Sequence, residues 1–237
     1  LQRHIPSDAH AVLTDVTPAY AGINVQGPNS RMLLQQVSPD DFSNSAFPFG
    51  TSKEIQLGYA TIRASRISYV GELGWELLIP SDMAAHVYET LVEAGQDLEL
   101  TNVGMHAMNS LRIEKAYRHW GHDIADEDTP IEAGLEFAVR FDKPGGFIGR
   151  EALLKQKERG LVAKRMVQFL MEDPEVMLYH NEPIIRDGTI CGYITSGMYG
   201  HTLGGSVGMG YLNNPLERGG VDSEFVNSGS YEIEVAC

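Results

Sequence analysis

Tyr69 and Glu76 lie within the segment SYVGELGWELLIP (Ser68 to Pro80), seven residues apart with Gly71 and Gly74 between them. Glycine removes the steric bar to a sharp reversal, so the spacing allows both side chains to approach one ligand across a hairpin. The tyrosine would offer a ring face or a hydroxyl, and the carboxylate two acceptor oxygens. The same residues also describe an ordinary antiparallel hairpin in which Tyr69 packs and Glu76 faces water. Spacing alone leaves both readings open.

Other reactive groupings carry less. His119-Trp120-Gly121-His122-Asp123 holds two imidazoles and a carboxylate, but Gly121 interrupts helical spacing and no separated ligand of matching character follows, so no metal site is expected. The glycines from Gly204 to Gly210 do not spell G-x-G-x-x-G and lack the strand-to-helix setting that cradles a phosphate, so no dinucleotide site is expected. No G-x-S-x-G elbow occurs, which removes the main sequence signal for a hydrolase.

The chain of 237 residues is long enough for one large or two modest cores. A formal net charge of −14 argues against general binding to nucleic acid, which rests on neutralising phosphates with Lys and Arg. No apolar run approaches the length of a membrane span. Two cysteines, Cys191 and Cys237, imply neither a disulfide framework nor a thiolate metal site, and fit a reducing compartment.

The elements that must carry Tyr69 and Glu76 are an α+β arrangement. Tyr20 to Gln26 reads as a strand, and Gly27-Pro28-Asn29-Ser30 introduces an amphipathic helix with Met32, Leu33, Leu34 and Val37. Residues 54–67 and 74–79 alternate as antiparallel strands. Ser81 is placed to cap a helix from Asp82 to about Leu98, with Ala85, Val87, Tyr88, Leu91 and Val92 toward the sheet. A further helix is predicted over Met105 to Tyr117, presenting Met108, Leu111 and Ile113. Thr129-Pro130-Ile131-Glu132 then spells a capping box that predicts a short helix. After a helix from Arg150 to Glu158 come strands at 163–171, 183–198, 206–213 and 231–236. Asp187-Gly188 marks a tight hairpin, and the recurrent glycines suit a curled sheet or barrel. The reading divides the chain into 1–150 and 151–237. Leu1 in place of Met, and a polar stretch containing Pro6, suggest a piece of a longer protein.

Taken together, Gln26-Gly27-Pro28, Gly71-Glu72-Leu73-Gly74-Trp75-Glu76, Asn109-Ser110-Leu111-Arg112-Ile113-Glu114-Lys115, Pro130-Ile131-Glu132-Ala133-Gly134-Leu135 and Phe147-Ile148-Gly149-Arg150-Glu151-Ala152-Leu153 resemble the aminomethyltransferase family of the glycine-cleavage T-protein. SNSAFPFGT (43–51), VGELGWELLIP (70–80) and IEKAYRHWGHDI (113–124) are most similar to the C-terminal part of sarcosine and dimethylglycine dehydrogenases. The resemblance implies a mixed or antiparallel sheet with covering helices, followed by a C-terminal β-barrel domain.

It also implies tetrahydrofolate as cofactor, with Tyr69 and Glu76 as folate-binding residues, and FAD in an upstream domain of the same polypeptide. The partners implied are the folate, an iminium derived from an N-methyl amino acid, and that flavin domain. The activity implied is capture of the one-carbon unit as 5,10-methylenetetrahydrofolate. A non-catalytic relative resembling the pyruvate dehydrogenase phosphatase regulatory subunit, or a stand-alone T-protein-like enzyme, remain as alternatives. Met108 stands where the family has a folate-contacting arginine, and Arg112 reads as a structural ion-pair member. The family's aspartate near the reacting nitrogen belongs to a segment this chain does not contain. No catalytic residue is therefore assigned, and the piece alone is expected to be inactive. The compartment implied is the cytoplasm in a bacterium or the mitochondrial matrix in a eukaryote.

Overall fold

A computed structural model describes residues 2–235. Leu1, Ala236 at the end of the last expected strand, and Cys237 lie outside the described residues. The chain forms two compact units, Leu1–Asn102 and Val103–Cys237.

The first unit contains β1 (Tyr20–Gln26), α1 (Ser30–Val37), β2 (Ser52–Leu57), β3 (Ala60–Ser65), β4 (Gly74–Pro80) and α2 (Ala84–Ala94). The strands form one antiparallel sheet in the order β1-β4-β3-β2. Alternation along each strand sends Ile55, Leu57, Ile62, Ala64, Trp75, Leu77 and Ile79 to one face. There they pack with Leu33 and Leu34 of α1 and Val87 and Leu91 of α2. Phe42 and Phe47 meet the Trp75 ring edge-on, with centroids 5.3 and 5.9 Å away.

The helix expected from Asp82 to about Leu98 is three pieces. A 3-10 turn at Ser81–Met83 precedes α2, and another at Gln96–Leu98 follows it. Gly95 ends α2 because Leu100 packs on it; a Cβ there would lie 2.5 Å from Leu100 Cδ1. Ser81 does not cap the helix, since its hydroxyl donates to the Pro18 carbonyl at 2.8 Å. Of the expected inner face, Val87 and Leu91 are buried, whereas Ala85 and Tyr88 stay exposed.

The second unit contains α3 (Met105–Glu114), α4 (Arg150–Arg159), β5 (Lys164–Leu170), β6 (Pro183–Arg186), β7 (Thr189–Gly200), β8 (Gly205–Asn213), α5 (Ser223–Ser228) and β9 (Tyr231–Ile233). Its strands form an antiparallel sheet in the order β5-β8-β7-β6-β9. Among the described residues β5 and β9 do not pair with each other, so the expected barrel is an open five-stranded sheet; three-residue β9 spends its ladder bonds on β6. Asp187 and Gly188 join β6 to β7 with φ of 49° and 77°, the left-handed pair a two-residue hairpin turn requires.

Glycines let β8 sit between β5 and β7 with both faces buried. A Cβ on Gly210 would lie 2.4 Å from the Tyr193 carbonyl oxygen, and one on Gly208 2.9 Å from Leu178 Cδ1. Helix α3 stops at Glu114, short of the expected Tyr117. Ala116 turns left-handed there, and the Tyr117 amide closes onto the Arg112 carbonyl at 3.0 Å. The capping box forms in both directions, Thr129 N–H to Glu132 Oε2 at 3.0 Å and Glu132 N–H to Thr129 Oγ1 at 3.2 Å. No α-helix follows it: Gly134, at φ 68°, ends the turn, and a 3-10 turn at Glu136–Ala138 comes next.

Candidate functional site

The segment from Arg66 to Leu73 is the loop that joins β3 to its antiparallel neighbour β4. Gly71 adopts φ 78° and reverses the chain. Gly74 serves a different purpose from a turn: a Cβ there would sit 2.1 Å from Gln26 Oε1, so its absence makes room for that side chain of β1. Tyr69 is half-buried in the loop, and Glu76 is half-buried two residues after Gly74 on β4. The two expected ligands therefore share one hairpin.

Strand alternation puts Glu76 on the face of the sheet opposite Trp75, Leu77 and Ile79. Neither helix of the first unit covers that face, and Leu78 on it is 47% exposed. Register aligns Asn24 of β1 and Ser65 of β3 on either side of Glu76, with Ser52 of β2 beyond Ser65. Ser65 Oγ donates to Ser52 Oγ at 2.9 Å. Among the described residues no side chain or amide bonds the Glu76 carboxylate. Two buried polar atoms beside this segment, Gln26 Oε1 and Ser68 Oγ, also lack hydrogen-bond partners. Buried polar atoms in folded proteins are almost always satisfied, so this concentration is a feature of the site.

A separate open cleft of about 560 Å³ lies beside α1, lined by Asn29, Arg31, Met32, Asp41, Ser43 and Leu73 among others. Neither Tyr69 nor Glu76 lines it. The Arg31 and Arg66 guanidiniums stand 5.9 and 5.7 Å from the Trp75 ring centroid. Burial, and then the charge of Arg31, push Arg66 down from its usual range.

In the second unit Arg112 and Asp123 form an ion pair with side chains 3% and 0% exposed. Arg112 Nη1 donates to Asp123 Oδ2 at 2.6 Å and Nη2 to Ser196 Oγ at 2.8 Å. Asp123 also accepts from the His119 amide at 2.8 Å and from Thr195 Oγ1 at 2.5 Å. Asp123 thus anchors α3 to β7. His119 and His122 have ring centroids 4.7 Å apart. Burial, then His122 and then Arg112 lower the His119 pKa, with Asp123 opposing them. No group of three or more His, Cys, Asp or Glu able to hold a metal occurs among the described residues. Sequence spacing missed the joint role of Arg112 and Asp123, because nothing in the pattern reports which helix residue a distant carboxylate will meet. Nor does spacing report that Asn24 lies beside Glu76, which only strand register identifies.

No helix among the described residues is long and apolar enough to cross a membrane. Residues 1–143 match the family described as GCVT N-terminal domain, and residues 164–236 match the Glycine cleavage T-protein C-terminal barrel domain. The 4-methylaminobutanoate oxidase (formaldehyde-forming) of Paenarthrobacter nicotinovorans is 46% identical over 212 residues, 89% of this chain and 25% of that protein. Human mitochondrial sarcosine dehydrogenase is 42% identical, over 94% of this chain and 24% of its own length. The mouse mitochondrial pyruvate dehydrogenase phosphatase regulatory subunit is 38% identical, over 100% of this chain and 28% of its own. The chain thus spans about a quarter of these relatives. Among solved structures, the glycine cleavage system aminomethyltransferase T from Bartonella henselae matches with TM-score 0.71 at 26% identity, over 84% of this chain and 52% of that one. The chain belongs to the glycine-cleavage T-protein family, as an aminomethyltransferase-type segment related to sarcosine and dimethylglycine dehydrogenases.

Proposed function

We propose that this chain is the tetrahydrofolate-binding part of a flavin-dependent dehydrogenase acting on sarcosine or dimethylglycine, and that it captures the one-carbon unit as 5,10-methylenetetrahydrofolate. Residues 1–150 then act as the folate-binding domain and 151–237 as the C-terminal domain. The observation that carries the reading is the Glu76 carboxylate, half-buried on a helix-free sheet face with no bonding partner among the described residues.

A pterin head presents its N3–H and 2-amino group side by side, and one carboxylate accepts both, as it would from an arginine fork. Glu76 is the acceptor and Tyr69 supplies a ring or hydroxyl beside it. A flavin in another domain of the same polypeptide supplies the oxidation of the N-methyl amine to an iminium. The role of this chain is to hold the folate where that iminium meets it before water does, which turns a competing hydrolysis into an effectively intramolecular capture.

The test is titration of the intact polypeptide with 5-formyltetrahydrofolate. Glu76→Gln removes a charge-assisted hydrogen bond, and the expected loss of affinity is roughly tenfold to a hundredfold. Wild-type affinity in that variant sinks the role of Glu76. Anaerobic addition of sarcosine or dimethylglycine should bleach a flavin band. A flavin that neither amine bleaches, or its absence, favours the regulatory or stand-alone alternatives.

A further inference from the structure

We propose that Asn24 reads the C4 oxygen of the bound pterin and so distinguishes a 4-oxo head from a 4-amino one. The inference rests on the folate reading above and extends it to a residue outside the hairpin.

Asn24 is the antiparallel neighbour of Glu76, on the same face of the sheet. Side chains so paired have Cβ atoms about 4.5–5.5 Å apart, within reach of one planar ligand. On the other flank of Glu76, Ser65 has its hydroxyl proton committed to Ser52. Asn24 is exposed, and its amide has no partner among the described residues. Two residues along the same face of β1, Gln26 keeps a buried carbonyl oxygen unpaired beside Gly74. This edge of the face therefore carries several polar groups whose bonding capacity is unused.

The edge of a 2-amino-4-oxopteridine runs donor, donor, acceptor: the 2-amino group, N3–H, then O4. A carboxylate matches the two donors and leaves O4 unmet. An amide N–H on the adjoining strand supplies the missing donor, so Glu76 and Asn24 together offer acceptor, acceptor, donor. A 2,4-diaminopteridine presents an amino donor in place of O4 and no hydrogen on N3, which mismatches that order. A site built to hydrogen-bond a group discriminates strongly against an analogue that cannot answer it.

The test measures dissociation constants of the intact polypeptide for 5-formyltetrahydrofolate, a 4-oxo ligand, and aminopterin, a 4-amino ligand. Asn24→Asp keeps the side-chain size and replaces the donor with an acceptor. Binding of 5-formyltetrahydrofolate is expected to weaken about tenfold or more while aminopterin holds or tightens. Asn24→Leu, which removes the amide and replaces a residue disfavoured in strands at an exposed site, is expected to lose about tenfold for 5-formyltetrahydrofolate without a fall in Tm. An equal change for both ligands in Asn24→Asp, or wild-type binding of 5-formyltetrahydrofolate by Asn24→Leu, overturns the proposal and leaves the folate reading standing. A wild-type protein that binds neither ligand overturns the folate reading itself.

Discussion

Replacing Asp123 with Ala should destabilise the second unit severely, for a reason that can be followed atom by atom. The substitution leaves the Arg112 guanidinium, 3% exposed, without its carboxylate. It removes one acceptor from Arg112 Nη1 and from the Thr195 hydroxyl, which keep the Tyr117 and Met209 carbonyls, and it leaves the His119 amide with none. Arg112 keeps the Tyr117 carbonyl at 3.0 Å and Ser196 Oγ at 2.8 Å, so its hydrogen bonds are partly met while its charge is not. Breaking one partner of a buried pair costs about 3–5 kcal/mol, which corresponds to a fall of roughly 6–20 °C in the transition of a domain of this size class. Differential scanning calorimetry of the intact polypeptide reads that transition, and hydrogen exchange of residues 105–124 assigns it. Removing both charges with Arg112→Met and Asp123→Leu should recover much of the loss, because two apolar side chains carry no desolvation penalty. A loss below about 1 kcal/mol for Asp123→Ala would refute the account, since it would mean that water or a rotated partner satisfies the guanidinium as well as the carboxylate does.

Three further outcomes follow from other residues. Gly210→Ala should cost about 1–3 kcal/mol or more by urea denaturation, because the new Cβ would lie 2.4 Å from the Tyr193 carbonyl oxygen in a ladder that cannot spread. Arg186→Ala should loosen α5, whose residues it holds through the Phe225 carbonyl at 3.2 Å, Ser228 Oγ at 3.0 Å and the Phe225 ring at 4.2 Å; faster amide exchange across 223–228 checks it. The phenol of Tyr211 is buried, and Asp128 lies near enough to repel a phenolate electrostatically. Burial first, and then that charge, raise its pKa above the ordinary 10.0. A raised acid pKa means the folded state holds its proton longer, so stability present below about pH 10 is lost as pH rises beyond it. Lys164 adds the same sign: burial acts to lower it, but the bond and charge of Asp128 hold its pKa above 10.5. Tyr211→Phe should therefore be near neutral at pH 7 and should flatten the alkaline fall in Tm above pH 10.

Much of the architecture could be read from residue pattern, and the failures have identifiable causes. Period-two alternation located β2 to β4, and Asp187-Gly188 located the β6–β7 hairpin, because both signals are local and need no partner. The helix after Thr129-Pro130-Ile131-Glu132 did not follow, since a capping box specifies a first turn and not what Gly134 does next. Ser81 found an acceptor in Pro18, a residue 63 positions away that no local window contains. At the site, spacing singled out Tyr69 and Glu76, but it did not say which sheet face Glu76 would take or that Asn24 would lie beside it. Those facts come from register between β1 and β4, set by the apolar residues on the opposite face. Arg112 reads from sequence as an ion-pair member, but its partner Asp123 lies 11 residues on, past the end of α3, where helical spacing no longer predicts contacts.

The pairing of β6 with β9 has a consequence for how the protein is made. Ile184 of β6 lies opposite Ile233 of β9, so the strand that finishes this edge is synthesised about 50 residues after the strand it covers. At ribosomal rates of about 5–20 residues per second, that interval lasts roughly 2–10 s. Once β7 has followed, β6 is placed by its hairpin with β7 and presents a row of unpaired backbone groups for the rest of that interval. A nascent chain in that state can recruit strands from neighbouring chains on the same message, and slower translation of residues 187–230 would lengthen the exposure. Strand β9 thus acts as a closing stitch whose timing is set by the ribosome.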